Sequence, residues 1–292
     1  MSEVRRASHA GSWYSSSKKE LNSQLENWLS KASSKKVGTR ALIAPHAGYS
    51  YCGACAAFAY NRVDPTNIKR VFILGPSHHV SLGGCALTQT KTYSTPLYDL
   101  IVDQEMNEEL HKTGKFDKMS ISTDEDEHSI EMHLPYIAKV MESKKGQFTV
   151  VPVLVGHTSH DKELMYGKIF SKYLKDPENL FVISSDFCHW GSRFRYTYYD
   201  KSKGDIHQSI EDLDKQGMKI IERLHTSEYY QYLERYSNTI CGRKPIGIFL
   251  NAVDQLKTDG TIFEFHQYAQ SSKVKRMNDS SVSYAAGTLV SL

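Results

Sequence analysis

Four short apolar runs organise the chain: Ala41-Leu42-Ile43-Ala44, Val71-Phe72-Ile73-Leu74, Val150 to Val155, and Phe181-Val182-Ile183. Short β-branched and aromatic runs bounded by Gly or Pro predict strands covered on both faces. Between them the apolar period lengthens to that of a helix, over Cys52 to Tyr60, His128 to Met141 and Lys162 to Tyr173. Ahead of the first run, Leu21, Leu25, Trp28 and Leu29 fall at i, i+4, i+7 and i+8, with serines before them as caps. Alternating strands and helices imply an α/β fold, a mostly parallel or mixed central sheet flanked by helices.

Punctuation refines the pattern. Pro152 interrupts its run and predicts an edge strand or a bulge there. Cys85 to Asp103 reads as an extended excursion, a hairpin of Leu87 to Thr92 and Leu97 to Val102. The acidic stretch Asp124 to Glu127 precedes a helix, at its positive dipole end. Pro245 opens a helix running to Leu256, and strands over Ile262 to Tyr268 and Val282 to Leu289 complete the sheet. With no internal repeat and no convincing linker, residues 1–292 read as one domain.

Charge narrows the partners. With 36 basic against 33 acidic side chains, the net +3 is too even to predict nucleic-acid binding. Lys35-Lys36 and Lys273 to Arg276 read as solvated surface. No apolar run approaches the ~20 residues of a membrane span, and Met1 to Ser12 lacks the apolar stretch of a secretory signal. Five cysteines, an odd number in a chain too large to need disulfide staples, predict free thiols in the cytoplasm.

Ligands of open parallel sheets bind beyond the carboxyl ends of the strands. Those ends carry His46, His78, His79, His157, Asp186 and His189. Imidazole suits iron, copper, zinc or nickel, and two histidines need a third ligand. Residue type offers Asp186, His189, Glu131, Cys188 and Cys241, and periodicity does not choose among them. His79, next to His78 on extended backbone, points the other way. His157 reads as surface. Cys52-Gly53-Ala54-Cys55 sits among small residues and reads as helix–sheet packing rather than a redox pair, and the lack of a second such pair excludes a four-cysteine zinc site. His128 to His133 lacks the order of H-E-x-x-H, leaving His128 and Glu131 as neighbours of the pocket.

The motifs Ala44-Pro45-His46-Ala47-Gly48-Tyr49, Gly75-Pro76-Ser77-His78-His79, Glu127-His128-Ser129-Ile130-Glu131 and Ser185-Asp186-Phe187-Cys188-His189-Trp190 resemble the Memo family. So do Ser8 to Tyr14 and Ser280 to Gly287, so the likeness spans nearly the whole chain. It implies a fold similar to class III extradiol dioxygenases, which are non-haem iron enzymes, and a role in cell motility downstream of receptor tyrosine kinases. It implies one ion, iron or copper, on His46, His78 and Cys241, with the cysteine where the dioxygenases carry a glutamate. A thiolate is softer and more easily oxidised, which turns the expectation from ring cleavage to an intracellular redox and signalling protein, cytoplasmic or also nuclear, with turnover left open. His189 matches the relatives' acid–base histidine. Asp186 beside it is an assisting group, a fourth ligand, or a cap at the strand–helix turn. Two alternatives accompany this reading. One is an adaptor taking phosphotyrosine peptides, for which Arg193 to Tyr199 offers guanidinium forks if it is not simply a packed loop. The other is a cysteine-nucleophile hydrolase built on Cys241, His189 and Asp186.

Overall fold

A computed structural model describes residues 3–32, 38–256 and 260–291. Its strands are β1 (Val4–Arg5), β2 (Thr39–Ala44), β3 (Arg70–Pro76), β4 (Cys85–Leu87), β5 (Thr92–Tyr93), β6 (Leu100–Ile101), β7 (Phe116–Lys118), β8 (Thr149–Val155), β9 (Asn179–Ser184), β10 (His189–Trp190), β11 (Thr261–Gln270) and β12 (Ser281–Ser291). Its α-helices are α1 (Lys18–Lys31), α2 (Tyr49–Tyr60), α3 (Gln104–Lys112), α4 (Ile121–Asp126), α5 (His128–Glu131), α6 (Leu134–Val140), α7 (His160–Lys175), α8 (Ile206–Glu222), α9 (Thr226–Tyr236) and α10 (Arg243–Leu256). The main sheet runs β10-β12-β2-β9-β3-β8-β4-β7, with β11 also on β12. Its centre, β2, β9, β3 and β8, is parallel, while β12 and β4 join antiparallel, so the sheet is mixed. A small second sheet joins β1, β5 and β6.

The strand pleat sorts the apolar runs onto two buried faces. Leu42, Ala44, Val71, Ile73 and Val182 meet Leu25, Ala56, Tyr60 and Ile137 of α1, α2 and α6. Ala41, Ile43, Phe72, Leu74, Phe181 and Ile183 meet Tyr166, Phe170, Ile246 and Phe249 of α7 and α10. Burying a Phe or Ile here contributes roughly 1.5–3 kcal/mol. The small residues of α2 let α1 come close: a Cβ on Gly53 would collide with the Trp28 ring. No helix of the described residues is long and apolar enough to cross a membrane.

Three local expectations are corrected. Pro152 is neither at an edge nor in a bulge, because β8 lies between β3 and β4 and pairs Pro152 with Ile73 in unbroken register. It is tolerated because the β4 ladder covers only Val153 to Val155 and a bridge holds Val150 to Val102, so the proline falls in the gap between them. The hairpin is only partly made: β5 and β6 pair, while Leu87 belongs to β4 in the main sheet. His128 to Met141 forms two helices, because Pro135, in the first turn of α6, has no N–H to continue α5. Lys35-Lys36 lies outside the described residues.

Candidate metal centre

Three adjacent parallel strands, β2, β9 and β3, end on one rim of the sheet. His46 follows β2, Asp186 follows β9, and His78 follows β3. Cys241 arrives from the segment before α10, and its Sγ lies 3.1 Å from His46 Nε2. The donor atoms of His46, His78 and Cys241 all lie within 4.8 Å of one another. Three distant stretches of chain therefore meet at one point.

Each imidazole is tied back by its other nitrogen. His78 Nδ1 is 2.8 Å from Glu127 Oε1, and its backbone N–H donates to Glu127 Oε2 at 2.7 Å. Burial works against the charge on Glu127, but the His78 hydrogen bond leaves its carboxyl well below the usual range. With Nδ1 held by that carboxylate, Nε2 is the ring nitrogen left for the pocket. His46 Nδ1 lies 2.6 Å from Ser184 Oγ. Ser184 gives its own proton to the Ser129 carbonyl at 2.7 Å, so it accepts from His46. Burial, then the neighbouring His78 and His128, push His46 well below the ordinary imidazole range, so it is neutral.

Cys241 is set by Ser185 and Asp186. The Gly242 N–H donates to Ser185 Oγ at 3.0 Å, and the Asp186 N–H donates to Cys241 Sγ at 3.2 Å. A side chain on Gly242 would collide with the Ser184 carbonyl and Ser185, so only glycine lets this segment approach. Burial, then Asp186, push the Cys241 thiol far up. Asp186 Oδ1 accepts the His46 N–H at 2.8 Å, fixing the loop after β2, and burial raises its carboxyl. It caps no helix, because β10 rather than a helix follows it.

The profile of the family described as Memo-like protein matches residues 5–288. The chain belongs to the Memo family. It is 63% identical over 291 residues to "Protein MEMO1" of Xenopus laevis, covering 99% of this chain and 98% of that protein. It is 62% identical over 287 residues to "Protein MEMO1" of Homo sapiens, covering 98% and 97%. Against "Protein memo-1 homolog" of Caenorhabditis elegans it is 52% identical over 290 residues, covering 98% and 82%. A crystal structure of the uncharacterized protein JW3007 from Escherichia coli K12 aligns with a TM-score of 0.48 and 12% identity, covering 84% of this chain and 98% of that one.

In this Memo chain His189 stands beside Cys241, and the donor atoms of Asp186, His189 and Cys241 also fall within 4.8 Å of one another. His189 Nδ1 reaches the carbonyls of Phe187 and Thr239 at 2.9 and 3.1 Å. Both are acceptors, so Nδ1 carries the proton and Nε2 is left for the pocket. Asp186 therefore does not orient His189 in the order a nucleophilic triad uses, and Cys241 faces His46 instead. His128 stacks on His78 with centroids 4.4 Å apart and meets Trp13 at 4.4 Å, forming a wall of the mouth. His79 and His157 are exposed. Cys52 and Cys55 are buried free thiols, with Cys52 Sγ 3.1 Å from the Ala47 carbonyl, in keeping with packing. In the Arg193 to Tyr199 segment, Phe194 lies 5.2 Å from the His189 ring and Arg193 covers Phe194 at 5.0 Å.

Sequence reasoning missed Ser184 and the part played by Glu127. The acidic stretch read only as a helix-dipole signal, and Glu127 does cap α5, accepting the Ser129 N–H at 2.9 Å. The same carboxylate also grips His78. Glu131 was placed beside the pocket but belongs to a separate buried cluster. There Arg5 reaches Glu131 Oε2 at 2.7 Å and Asp124 Oδ1 at 2.9 Å, while the Tyr14 hydroxyl donates to Glu131 at 2.8 Å.

Proposed function

We propose that this Memo-family chain binds one redox-active ion, iron or copper, through His46, His78 and Cys241, and acts as an intracellular redox and signalling protein. One observation carries the reading: two imidazoles whose outer nitrogens are committed aim their remaining nitrogens at a thiol, within 4.8 Å of one another. Two nitrogens and a sulfur suit a borderline or soft transition ion and do not suit calcium or magnesium. Bound there, iron or copper supplies one-electron chemistry. The chain's own groups hold the donors in place, keep His46 neutral and ready, and present His189 Nε2 as a group that can take a proton. Asp186 fixes the His46 loop and offers a carboxylate beside Cys241. Five free thiols, four of them buried, fit a reducing compartment, cytoplasmic or nuclear. The link to cell motility and cytoskeletal signalling follows from the family likeness, and Cys241 in place of a carboxylate ligand argues against ring cleavage.

The test is metal content by mass spectrometry after anaerobic preparation. About one iron or copper per chain is expected, lost in both His46→Ala and Cys241→Ser. Protein that stays metal-free after loading with each metal in turn overturns the reading. A second reading, an adaptor for phosphotyrosine peptides, is favoured by the exposed Arg193 beside the pocket wall. It predicts calorimetrically measurable phosphopeptide binding that weakens with salt and with Arg193→Ala. Equal binding of the unphosphorylated peptide would remove it.

A further inference from the structure

A cavity of about 430 Å³ opens between the loop ahead of α1, one side of α1 and the start of α2. That volume suits a small ligand or a single side chain. Its lining includes Trp13, Trp28, Tyr49 and Glu20, with Ser15 and Ser50 beside them. Tyr49 is fixed in place, its hydroxyl donating to the Met132 carbonyl at 2.6 Å and its N–H to the Trp13 carbonyl at 2.9 Å. Trp28 meets the Tyr49 ring edge-on, with centroids 6.0 Å apart. Trp13 leans on His128 on the side of the metal centre and is still 36% exposed, so it stands as a wall between the two sites. Glu20 is the one charged residue of this lining among the described residues. Its carboxylate accepts from the Ser15 hydroxyl at 2.6 Å and the Gln24 amide at 3.4 Å, both neutral donors. An ionised carboxylate has about four acceptor positions, so half of them stay open. Lys18 and Lys19, close to it in sequence, line a different cavity with Leu97 and Tyr98. A negative charge is therefore left without a cation beside aromatic rings, whose faces are themselves negative.

We propose that this cavity is a binding site for a guanidinium group, carried by an arginine side chain of a partner polypeptide or by a small free compound. Carboxylate and rings ask for the same visitor, a cation with a flat and weakly hydrated body. Guanidinium meets that demand: it stacks on aromatic rings and forks onto a carboxylate. An ammonium is more strongly hydrated and gives up more on entering. Glu20 repels an anion, and a neutral ligand gains nothing from its charge. The site uses none of the groups of the metal centre, so it stands whether or not a metal binds there.

Tryptophan fluorescence of the full chain reads this site, because Trp13 and Trp28 line it while the third tryptophan, Trp190, is fully buried in another cluster. The probes are N-acetyl-arginine amide, the matching citrulline and lysine compounds, and a capped alanine peptide with one central arginine. A saturable change is expected with arginine, weakening as salt is raised. The citrulline compound, which has the same shape without the charge, should bind roughly tenfold more weakly or worse, with lysine in between. Glu20→Gln keeps an acceptor for Ser15 and removes only the charge, and arginine affinity should fall roughly three- to fivefold. Trp13→Leu should cost about as much. Peptide binding as tight as that of the free compound identifies a polypeptide side chain as the ligand, and binding of the free compound alone identifies a small molecule. Citrulline binding equal to arginine overturns the proposal, as does unchanged arginine affinity in Glu20→Gln or the lack of any saturable change through the millimolar range. Arginine affinity should also be unchanged in His46→Ala, and a loss there with Glu20→Gln silent would put the cation in the metal pocket and overturn the site.

Discussion

Two buried polar clusters sit side by side in this protein, and they are finished in opposite ways. Around Arg5 every bond closes. Its Nε, Nη1 and Nη2 reach Asp124, Glu131 and the carbonyls of Arg6 and Glu127, so all five N–H groups have acceptors. Around His46 the outer nitrogens are satisfied, but the inner ones converge on a thiol. Glu127 belongs to both, its carbonyl accepting from Arg5 and its carboxylate gripping His78. A closed cluster is a rivet, since burying its charges is tolerable only because each is paired. A cluster whose donor atoms converge is the arrangement on which the proposed metal reading rests.

The contrast can be broken most severely at the rivet. Arg5→Met leaves Asp124 and Glu131 buried without their cation, and a loss of about 3–5 kcal/mol is expected in urea unfolding. A loss below about 1 kcal/mol would mean that the two clusters do not differ as described. The acid limb sharpens the point. Burial opposes the charge on Glu131, yet His9 and Arg5 hold its carboxyl down to about 2. Because the folded value is depressed, its contribution is complete above the unfolded carboxyl range near 4.5 and fades as pH falls towards 2. In Arg5→Met, acid unfolding should begin at higher pH.

Glu127→Gln probes the shared residue. Its amide cannot accept from both the backbone and the ring of His78, and iron or copper affinity should fall about 10- to 100-fold in competition titrations. Unchanged affinity would show that His78 needs no such grip. A weaker handle is pH. The Cys241 thiol, pushed up by burial, must lose its proton to solvent before it can bind a metal, whereas His46 is already neutral. Affinity should therefore rise about tenfold per pH unit between pH 6 and 8, and Cys241→Ser should flatten that slope. A flat wild-type profile would exclude the thiol from the donor set. The smallest effect is expected from Cys55→Ala, a packing thiol in neither cluster. Metal content should be unchanged and stability altered by about 1 kcal/mol, and loss of metal would give the Cys52 and Cys55 pair a role it is denied here.

The parallel centre of the sheet was legible because β2, β3, β8 and β9 are covered on both faces and show as plain apolar runs. β4, β5 and β6 were not, since two- and three-residue strands carry too little pattern to separate a hairpin from two different sheets. His46 and His78 could be found from position, at the ends of recognisable strands. Cys241 could not: Thr239-Ile240-Cys241-Gly242 has no period and follows no strand, and only the family likeness singled it out. Arg5 was invisible for a related reason. A lone base near the start of a chain reads as solvated until distant carboxylates, here Asp124 and Glu131, are seen to enclose it. Local pattern reports burial by neighbours in sequence, and these residues are buried by neighbours in space.

The place of β12 has a consequence for biosynthesis. This strand follows every other described element in sequence, yet it pairs with β2, β10 and β11, and β10 begins with His189. A ribosome delivers it after the segments bearing His46, His78, Asp186 and Cys241. During translation those side chains therefore wait on an incomplete sheet, with the wall that carries His189 not yet anchored. The wall that carries His189 is therefore anchored only once β12 has been made.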